Sequence, residues 1–133
     1  MILGGYRHDA APFTGSHSRE GNGLTETVLA PGMEDLFAYV GAFSNAPTSS
    51  DGGVLGTSIA SSGYKLSLLY MICGDSDGIS YERYRQSIAG LEKAAGDFLD
   101  VMRTTVVKDG VHDFRVWNIG AYEFLRLSFS DHR

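Results

Sequence analysis

Residues 70–84 read YMICGDSDGISYERY, and they mark the change from an apolar run to a segment rich in charge and tyrosine. The apolar run ends at Cys73, and glycine and aspartate then dominate positions 74–78. Residues of these types favour turns, because Asp bonds to nearby backbone groups and Gly tolerates tight geometry. We therefore predict that a strand, Tyr64–Cys73, ends in this turn and that a helix begins after Ser80, a suitable N-cap.

The segment after the turn predicts one long helix, at about residues 80–103. Apolar residues recur there at helical spacing and form a single stripe, made of Tyr84, Ile88, Leu91, Ala95, Phe98 and Met102. Glu82 lies in the predicted first turn, where a negative charge suits the helix dipole. Gly90 and Gly96 lower the helix propensity, so we expect the close approach of a neighbouring element, or a bend, at these two positions.

Two hairpins account for the predicted strands in the second half of the chain. Val54–Ser61 and the strand that ends at Cys73 flank Ser62-Gly63, a pair that suits a tight hairpin turn. His112–Trp117 and Ala121–Ser130 flank residues 118–120 in a similar way. In the last of these strands, alternate residues are apolar, which is typical of a sheet with one packed face.

The first third of the chain carries a weaker pattern. Leu24–Ala30 alternates and predicts a short strand, whereas the apolar residues of 33–40 share one helical face and predict a helix of three turns. A strand, Leu36–Phe43, is the alternative for that second segment, because the run is short and aromatic. Residues 1–23 are rich in glycine, and their apolar residues follow neither the period of a strand nor that of a helix. We therefore expect an extended N-terminal arm.

These elements together predict an α+β fold. We expect an antiparallel sheet of about four to five strands, with the long helix packed across one face. The predicted organisation is an extended arm, residues 1–23, followed by a single α+β domain, residues 24–133. A ferredoxin-like sandwich is the alternative architecture, and it would need Phe37–Phe43 to be a strand.

Composition and charge exclude several classes of partner. The chain has 133 residues and a net charge of -5, and residues 1–63 carry two basic against six acidic residues. No face or segment concentrates Lys and Arg, so we expect no direct contact with nucleic acid. No apolar run is long enough to cross a bilayer, and the N-terminus lacks the pattern of a signal peptide. We expect a protein that is neither secreted nor membrane-bound, located in the cytoplasm or in a virion.

The turn at 74–78 offers two candidate nucleophiles. Cys73 would be one if a histidine lowered its pKa, although the end of an apolar strand also suits a buried cysteine. Gly74-Asp75-Ser76 resembles the Gly-Asp-Ser motif of one class of lipolytic hydrolases, and the resemblance implies Ser76 as the nucleophile. In that class the motif lies near the N-terminus and a late Asp-x-x-His follows, whereas Asp131-His132 has a different spacing.

Acid–base and metal chemistry have fewer candidates. His112 precedes Asp113 at the start of a predicted strand, and the two could form an acid–base pair. Asp75 and Asp77 offer two carboxylates to a cation, but the segment lacks the twelve-residue frame and distant Glu of a calcium loop. We therefore expect no metal site and no cofactor.

Aromatic residues suggest contacts with other proteins. In the last predicted hairpin, large rings would occupy both faces of the sheet, and such a sheet is either covered on both sides or presents one face to a partner. Together with the arm, this predicts an interface that includes Tyr6, Phe13, Trp117, Tyr122 and Phe124.

The sequence leaves two classes of function open. The first is a structural or assembly subunit of a homo-oligomer or larger assembly. A virion component such as a phage tail or neck ring protein is one form of it, because small α+β proteins of phage tails share the predicted order of elements. The second is a small α+β enzyme or ligand-binding domain, with a pocket between the long helix and the sheet near Tyr70, Cys73, Tyr84 and Trp117.

Overall fold

The computed structural model describes residues 2–6, 14–16, 37–45, 51–63 and 65–130, the first two segments through their backbone. Its strands are β1 (Ile2–Tyr6), β2 (Thr14–Ser16), β3 (Phe37–Phe43), β4 (Leu68–Gly74) and β5 (Met102–Val107). Its helices are α1 (Gly52–Ser62), α2 (Tyr81–Ala95) and α3 (Phe114–Phe129).

Three adjacent strands of the described sheet, β3, β4 and β5, are parallel, and β5 forms one edge. β3 pairs in parallel with β4, and β4 pairs in parallel with β5. The short strands β1 and β2 extend the sheet beyond β3 in antiparallel register. The predicted α+β content is confirmed, but the predicted antiparallel sheet is wrong. A ferredoxin-like sandwich is likewise wrong, although Phe37–Phe43 is a strand, because α1 and α2 connect successive parallel strands.

Two hydrophobic cores flank the sheet. One lies between the sheet and helices α1 and α2, and it contains Val40, Leu55, Leu69, Met71 and Leu91 among others. The other lies between the sheet and α3 on the opposite face, and it contains Phe43, Leu68, Tyr70, Ile72, Val116 and Phe124 among others. Every residue of β4 is buried. Burial on both faces is typical of a central parallel strand and explains why the sequence of β4 is apolar at successive positions.

The segment predicted as the first strand of a hairpin is helix α1. The Asp51 carboxylate accepts a hydrogen bond from Val54 N at 3.0 Å and caps the N-terminus of the helix. Leu55 and Ile59, four residues apart, are buried against the sheet. The predicted hairpin turn at 62–63 is the end of this helix. Capping and burial on one helical face therefore outweigh the β-propensity of the segment.

The segment predicted as a helix at 33–40 is a strand over its described part, and the alternative strand, Leu36–Phe43, is confirmed over its described residues. β3 runs from Phe37 to Phe43. Its backbone bonds to β4 on one side and to β1 on the other. Pairing on both edges decides the conformation of a short aromatic run that local preference leaves open.

The long helix is shorter than predicted. α2 ends at Ala95, and Gly96, with φ 51°, leads into a short 3-10 turn at Gly96–Phe98 and then into β5. Phe98 and Met102 continued the apolar stripe because both pack against the same core as α2, although neither belongs to that helix. The predicted close approach at Gly90 is confirmed, since a Cβ there would overlap the backbone of Gly52 and Gly53 in α1.

The predicted hairpin at the C-terminus is one helix, α3. The Asp113 carboxylate accepts a hydrogen bond from Val116 N at 3.2 Å and caps its N-terminus. Val116, Trp117, Gly120 and Phe124 form its buried face at spacings of one, three and four residues. The alternating apolar residues near position 127, which predicted a strand, therefore lie on a helix.

The division into an arm, residues 1–23, and a domain, residues 24–133, stays a prediction. The predicted strand Leu24–Ala30 lies outside the residues that the structure describes.

Candidate active site

The candidate site lies at the carboxyl edge of the parallel strands, where the segments after β4 and β5 meet. Gly74 ends β4, and a Cβ at this position would overlap the carbonyl oxygen of Gly110 in the segment after β5. Ser76 N donates to Gly110 O at 2.9 Å, and Asp75 N donates to Val107 O at 3.1 Å. The lack of a side chain at Gly74 thus lets the two segments bond directly.

Asp77 is the buried charge of the site. It is 2% exposed, and its Oδ1 atom accepts hydrogen bonds from Ile79 N at 3.0 Å and from Ser80 N at 2.9 Å. Its Oδ2 atom lies 2.9 Å from His112 Nδ1. Burial by itself raises the pKa of Asp77, but the N–H groups of Ser80 and Ile79 and the His112 ring outweigh burial and hold this pKa below its ordinary value of 3.8. Asp77 is therefore held as a carboxylate.

His112 is the partly exposed partner of this carboxylate. Because a carboxylate only accepts hydrogen bonds, the contact with Asp77 fixes the ring proton on Nδ1. The His112 side chain is 31% exposed, whereas the Asp77 side chain is fully buried. The ring contacts Asp77 and Ser80 through Nδ1 alone, and within the described part of the chain Nε2 has no hydrogen-bond partner. An unprotonated Nε2 on a partly exposed ring can accept a proton.

Apolar side chains lie on and near His112. Trp117 contacts the His112 ring edge to face, with ring centroids 5.2 Å apart. Phe114 contacts Trp117 in the same edge-to-face geometry, with centroids 4.9 Å apart. Phe114 is 72% exposed, and Ile79 and Val111 are also exposed. Trp117 limits the tilt of the imidazole, and the exposed Phe114 ring extends the apolar surface that begins at Trp117.

The predicted nucleophile Cys73 is fully buried on β4, next to the pair formed by Asp77 and His112. Its Sγ atom lies 3.6 Å from Asp77 Oδ2 and donates to it. Burial, followed by the negative charge of Asp77, raises the pKa of the Cys73 thiol to about 12. A thiol with that pKa forms almost no thiolate near neutral pH. The structure therefore places Cys73 beside the site without the chemistry of a nucleophile.

The predicted nucleophile Ser76 is exposed, and its hydroxyl donates to Asp75 Oδ1 at 3.2 Å. It makes no hydrogen bond to His112. The predicted pair of His112 and Asp113 does not form either, because Asp113 caps α3 and Asp77 is the carboxylate on the histidine ring. His112 alone among the predicted candidates carries an arrangement suited to catalysis.

Asp77 was predicted as a turn residue and not as part of a catalytic pair. A usable signal exists in the sequence: Asp77 follows the end of β4 by three residues, and His112 follows the end of β5 by five. Carboxyl ends of adjacent parallel strands meet at one edge of a sheet, where ligands bind in folds of this kind. The signal requires that residues 102–107 be assigned to a parallel strand.

The five predicted interface residues fall into three groups. The side chains of Tyr6 and Phe13 lie outside the described residues. Phe124 is fully buried against Phe43 and Tyr70, and Trp117 is buried beside His112. Tyr122 is exposed on the outer side of α3. Their contact with another chain stays a prediction.

The residues expected to line a pocket do not share one. Cys73 and Tyr84 belong to the core beneath α1 and α2, whereas Tyr70 and Trp117 belong to the core beneath α3 on the opposite face. The carboxyl edge of the sheet, which touches both cores, is the site that the fold provides instead.

Within the described segments, no group of three or more His, Cys, Asp and Glu side chains is arranged to hold a metal ion. None of the helices described has both the length and the apolar composition needed to cross a membrane.

Comparison of the chain with protein family models, with curated proteins and with solved structures finds no match.

The lowered pKa of Asp77 predicts a stability that depends on pH. The carboxylate contributes stability above its unfolded pKa of about 3.9, and this contribution is lost as pH falls through the lower pKa of the folded state. Urea denaturation as a function of pH measures it. We expect the free energy of unfolding of the wild-type chain to fall on acidification more steeply than that of Asp77→Asn. Equal slopes for the two proteins would contradict a buried Asp77 carboxylate with a lowered pKa, and Asp97→Asn, an exposed site, is the control.

Proposed function

We propose that this chain carries the acid–base pair of a hydrolytic enzyme, with Asp77 as the orienting carboxylate and His112 as the general base. The contact of 2.9 Å between His112 Nδ1 and Asp77 Oδ2 carries this proposal. A buried carboxylate on one ring nitrogen, with the other nitrogen unprotonated, is the arrangement of the base in hydrolytic triads. The N–H groups of Ile79 and Ser80, which donate to Asp77 Oδ1, and the contact of Trp117 with the ring hold this arrangement before any substrate binds.

The reaction that suits this pair is acyl transfer to a hydroxyl nucleophile. His112 Nε2 takes the proton of the hydroxyl as its oxygen bonds to an ester carbonyl carbon, and the Asp77 carboxylate stabilises the imidazolium that results. When the carbon–oxygen bond to the alcohol breaks, Nε2 returns the proton to the departing oxygen. Hydrolysis of the acyl product by water repeats the two proton transfers, so the ring ends as it began.

None of Cys73, Ser76 and Ser80 is suited to be the nucleophile, which is then another hydroxyl or water. Cys73 is a buried thiol with a raised pKa, and Ser76 bonds to Asp75. Ser80 is fully buried and approaches Nδ1 rather than Nε2. The order of Asp77 before His112 along the chain is that of α/β-hydrolases, in which the serine precedes both. This analogy favours a serine N-terminal to Asp77, and it supports the proposal without carrying it.

The surface beside His112 favours a substrate with an apolar substituent. Trp117 packs on the ring, Phe114 packs on Trp117 and is exposed, and Ile79 and Val111, which adjoin Ser80 and His112 in the chain, are exposed as well. An apolar group in this position would be desolvated by these side chains while its ester carbonyl faces Nε2.

Ester hydrolysis by the full chain tests the proposal. With p-nitrophenyl acetate and butyrate as substrates, we expect His112→Ala and Asp77→Asn to lower kcat/KM by about 100- to 10,000-fold, because each removes proton transfer or its orientation. Ser76→Ala, in the same segment, is the control and should keep the wild-type rate.

A fluorophosphonate probe separates the two nucleophiles, since it labels a serine that His112 activates and leaves a water-dependent enzyme unlabelled. No hydrolysis by the wild-type chain, or a His112→Ala variant that keeps the wild-type rate, would contradict the proposed function.

One observation favours the other class of function, a subunit of a homo-oligomer. Phe114, Tyr122, Leu125 and Phe129 are exposed on one outward side of α3. A helix with apolar residues on its outer side as well as its inner side is typical of a protein interface. Each large aromatic ring would bury about 150–250 Å² against a partner. The same side carries Tyr122, one of the predicted interface residues.

The more specific idea of a phage tail or neck ring protein loses its basis, because the order of elements that suggested it is corrected by the structure. A location in the cytoplasm or in a virion stays a prediction. A partner for the outer side of α3 would be a second copy of this chain, packed helix to helix about a two-fold axis.

Sedimentation velocity over a range of protein concentrations tests this second function. We expect association that weakens when Tyr122 is replaced by Glu, because the charge would be buried at the centre of the interface. Lys93→Glu, on the exposed part of α2, is the control for a change of charge. A wild-type chain that stays monomeric at every concentration would contradict self-association through α3.

A further inference from the structure

Ser80 occupies the N-cap position of α2 but does not cap the helix. Its side chain makes no hydrogen bond to the first turn, although serine is a preferred capping residue. Its backbone N–H donates to Asp77 Oδ1 at 2.9 Å. The whole residue is 0% exposed. A buried serine at a cap position whose hydroxyl turns away from the helix is therefore held by other contacts.

The Ser80 hydroxyl contacts the segments that follow the other two parallel strands, β3 and β5. It donates to the carbonyl oxygen of Ser44, the residue that follows β3, at 3.3 Å. The Ser80 Oγ atom also lies 3.4 Å from Nδ1 of His112, a residue in the segment that follows β5. Because a carbonyl oxygen can only accept, the hydroxyl proton is used on Ser44. The hydroxyl oxygen is then left as an acceptor that faces the Nδ1–H group of His112.

The partner of Ser80 is itself fixed. Ser44 is buried, its N–H donates to Ile72 O at 2.8 Å, and its φ of 49° lies in the left-handed region. Residues other than glycine rarely adopt this conformation, and they keep it only where the surroundings impose it. The backbone at Ser44 is therefore a firm anchor, and the hydroxyl of Ser80 connects that anchor to the catalytic ring.

We propose that Ser80 is a positioning residue for His112, with its hydroxyl as a second acceptor for the Nδ1 proton. A single contact with Asp77 at 2.9 Å leaves the imidazole free to rotate about that bond. The second acceptor on the same nitrogen, together with the edge contact of Trp117, fixes the plane of the ring. Nε2 then points in one direction toward the substrate. This role rests on the proposed function of His112 as a base.

Replacement of Ser80 by Ala tests the proposal, with Ser87→Ala as a matched control. Ser87 is also a fully buried serine of the same region, and its hydroxyl accepts from Asn45 Nδ2 at 3.3 Å without touching His112. We expect Ser80→Ala to lower kcat for ester hydrolysis by about tenfold with little change in KM, because orientation is lost and binding is not. Ser87→Ala should change kcat by less than about twofold.

A third variant and a second measurement separate positioning from stability. Ser80→Thr keeps the hydroxyl and adds bulk, so it should restore kcat even where it lowers the melting temperature. Exchange of the Nδ1 proton of His112 with solvent, followed by NMR, should be faster in Ser80→Ala than in wild type and unchanged in Ser87→Ala.

The exchange measurement also distinguishes failure of this role from failure of the proposed function. Faster exchange in Ser80→Ala supports the contact even if the wild-type chain hydrolyses no ester. Equal exchange rates and equal kcat values in Ser80→Ala and Ser87→Ala would overturn the positioning role, whether or not His112 is catalytic.

Discussion

The hydrogen bond between Asp77 and His112 is the interaction on which the site depends. Burying the Asp77 carboxylate is costly, and two backbone N–H groups and the imidazole offset that cost. The same bonds set the protonation of the ring, because Nδ1 must donate and Nε2 is left to accept. One buried carboxylate therefore stabilises the turn after β4 and also determines the chemistry of a residue in the segment after β5.

The parallel sheet makes this contact geometrically available. Asp77 and His112 are 35 residues apart in the chain, and α2 and β5 fill the interval between them. Because α2 returns the chain to the opposite edge of the sheet, β5 runs in the same direction as β4 and both strands end at one edge. The close approach of Gly74 and Gly110 then brings the segments after β4 and β5 into contact. An antiparallel pair of strands would have placed their ends at opposite edges.

The sequence predicts the centre of the fold better than its connections. The strand that ends near Cys73 and the helix that follows Ser80 are confirmed, since burial on both faces and a regular apolar stripe are strong local signals. Helices α1 and α3 were missed because their apolar residues also suit strands, and the caps at Asp51 and Asp113 decide between the two.

The pairing of Asp77 with His112 could not be read from spacing. It follows from the direction of β5, and Met102 at the start of that strand happens to continue the helical stripe of α2. His112 was identified as a candidate, but its carboxylate was sought in the neighbouring Asp113, which local sequence favours and tertiary structure does not.

The nitrogen-15 NMR spectrum of the His112 ring in the full chain, recorded at alkaline pH, tests the central claim most directly. It reports which ring nitrogen carries the proton, and the contact with Asp77 predicts a neutral ring protonated on Nδ1 with Nε2 unprotonated. In Asp77→Asn this preference should be lost. A wild-type ring protonated on Nε2 would contradict the account, because neither the bond to Asp77 nor the role of Nε2 as a base could then hold.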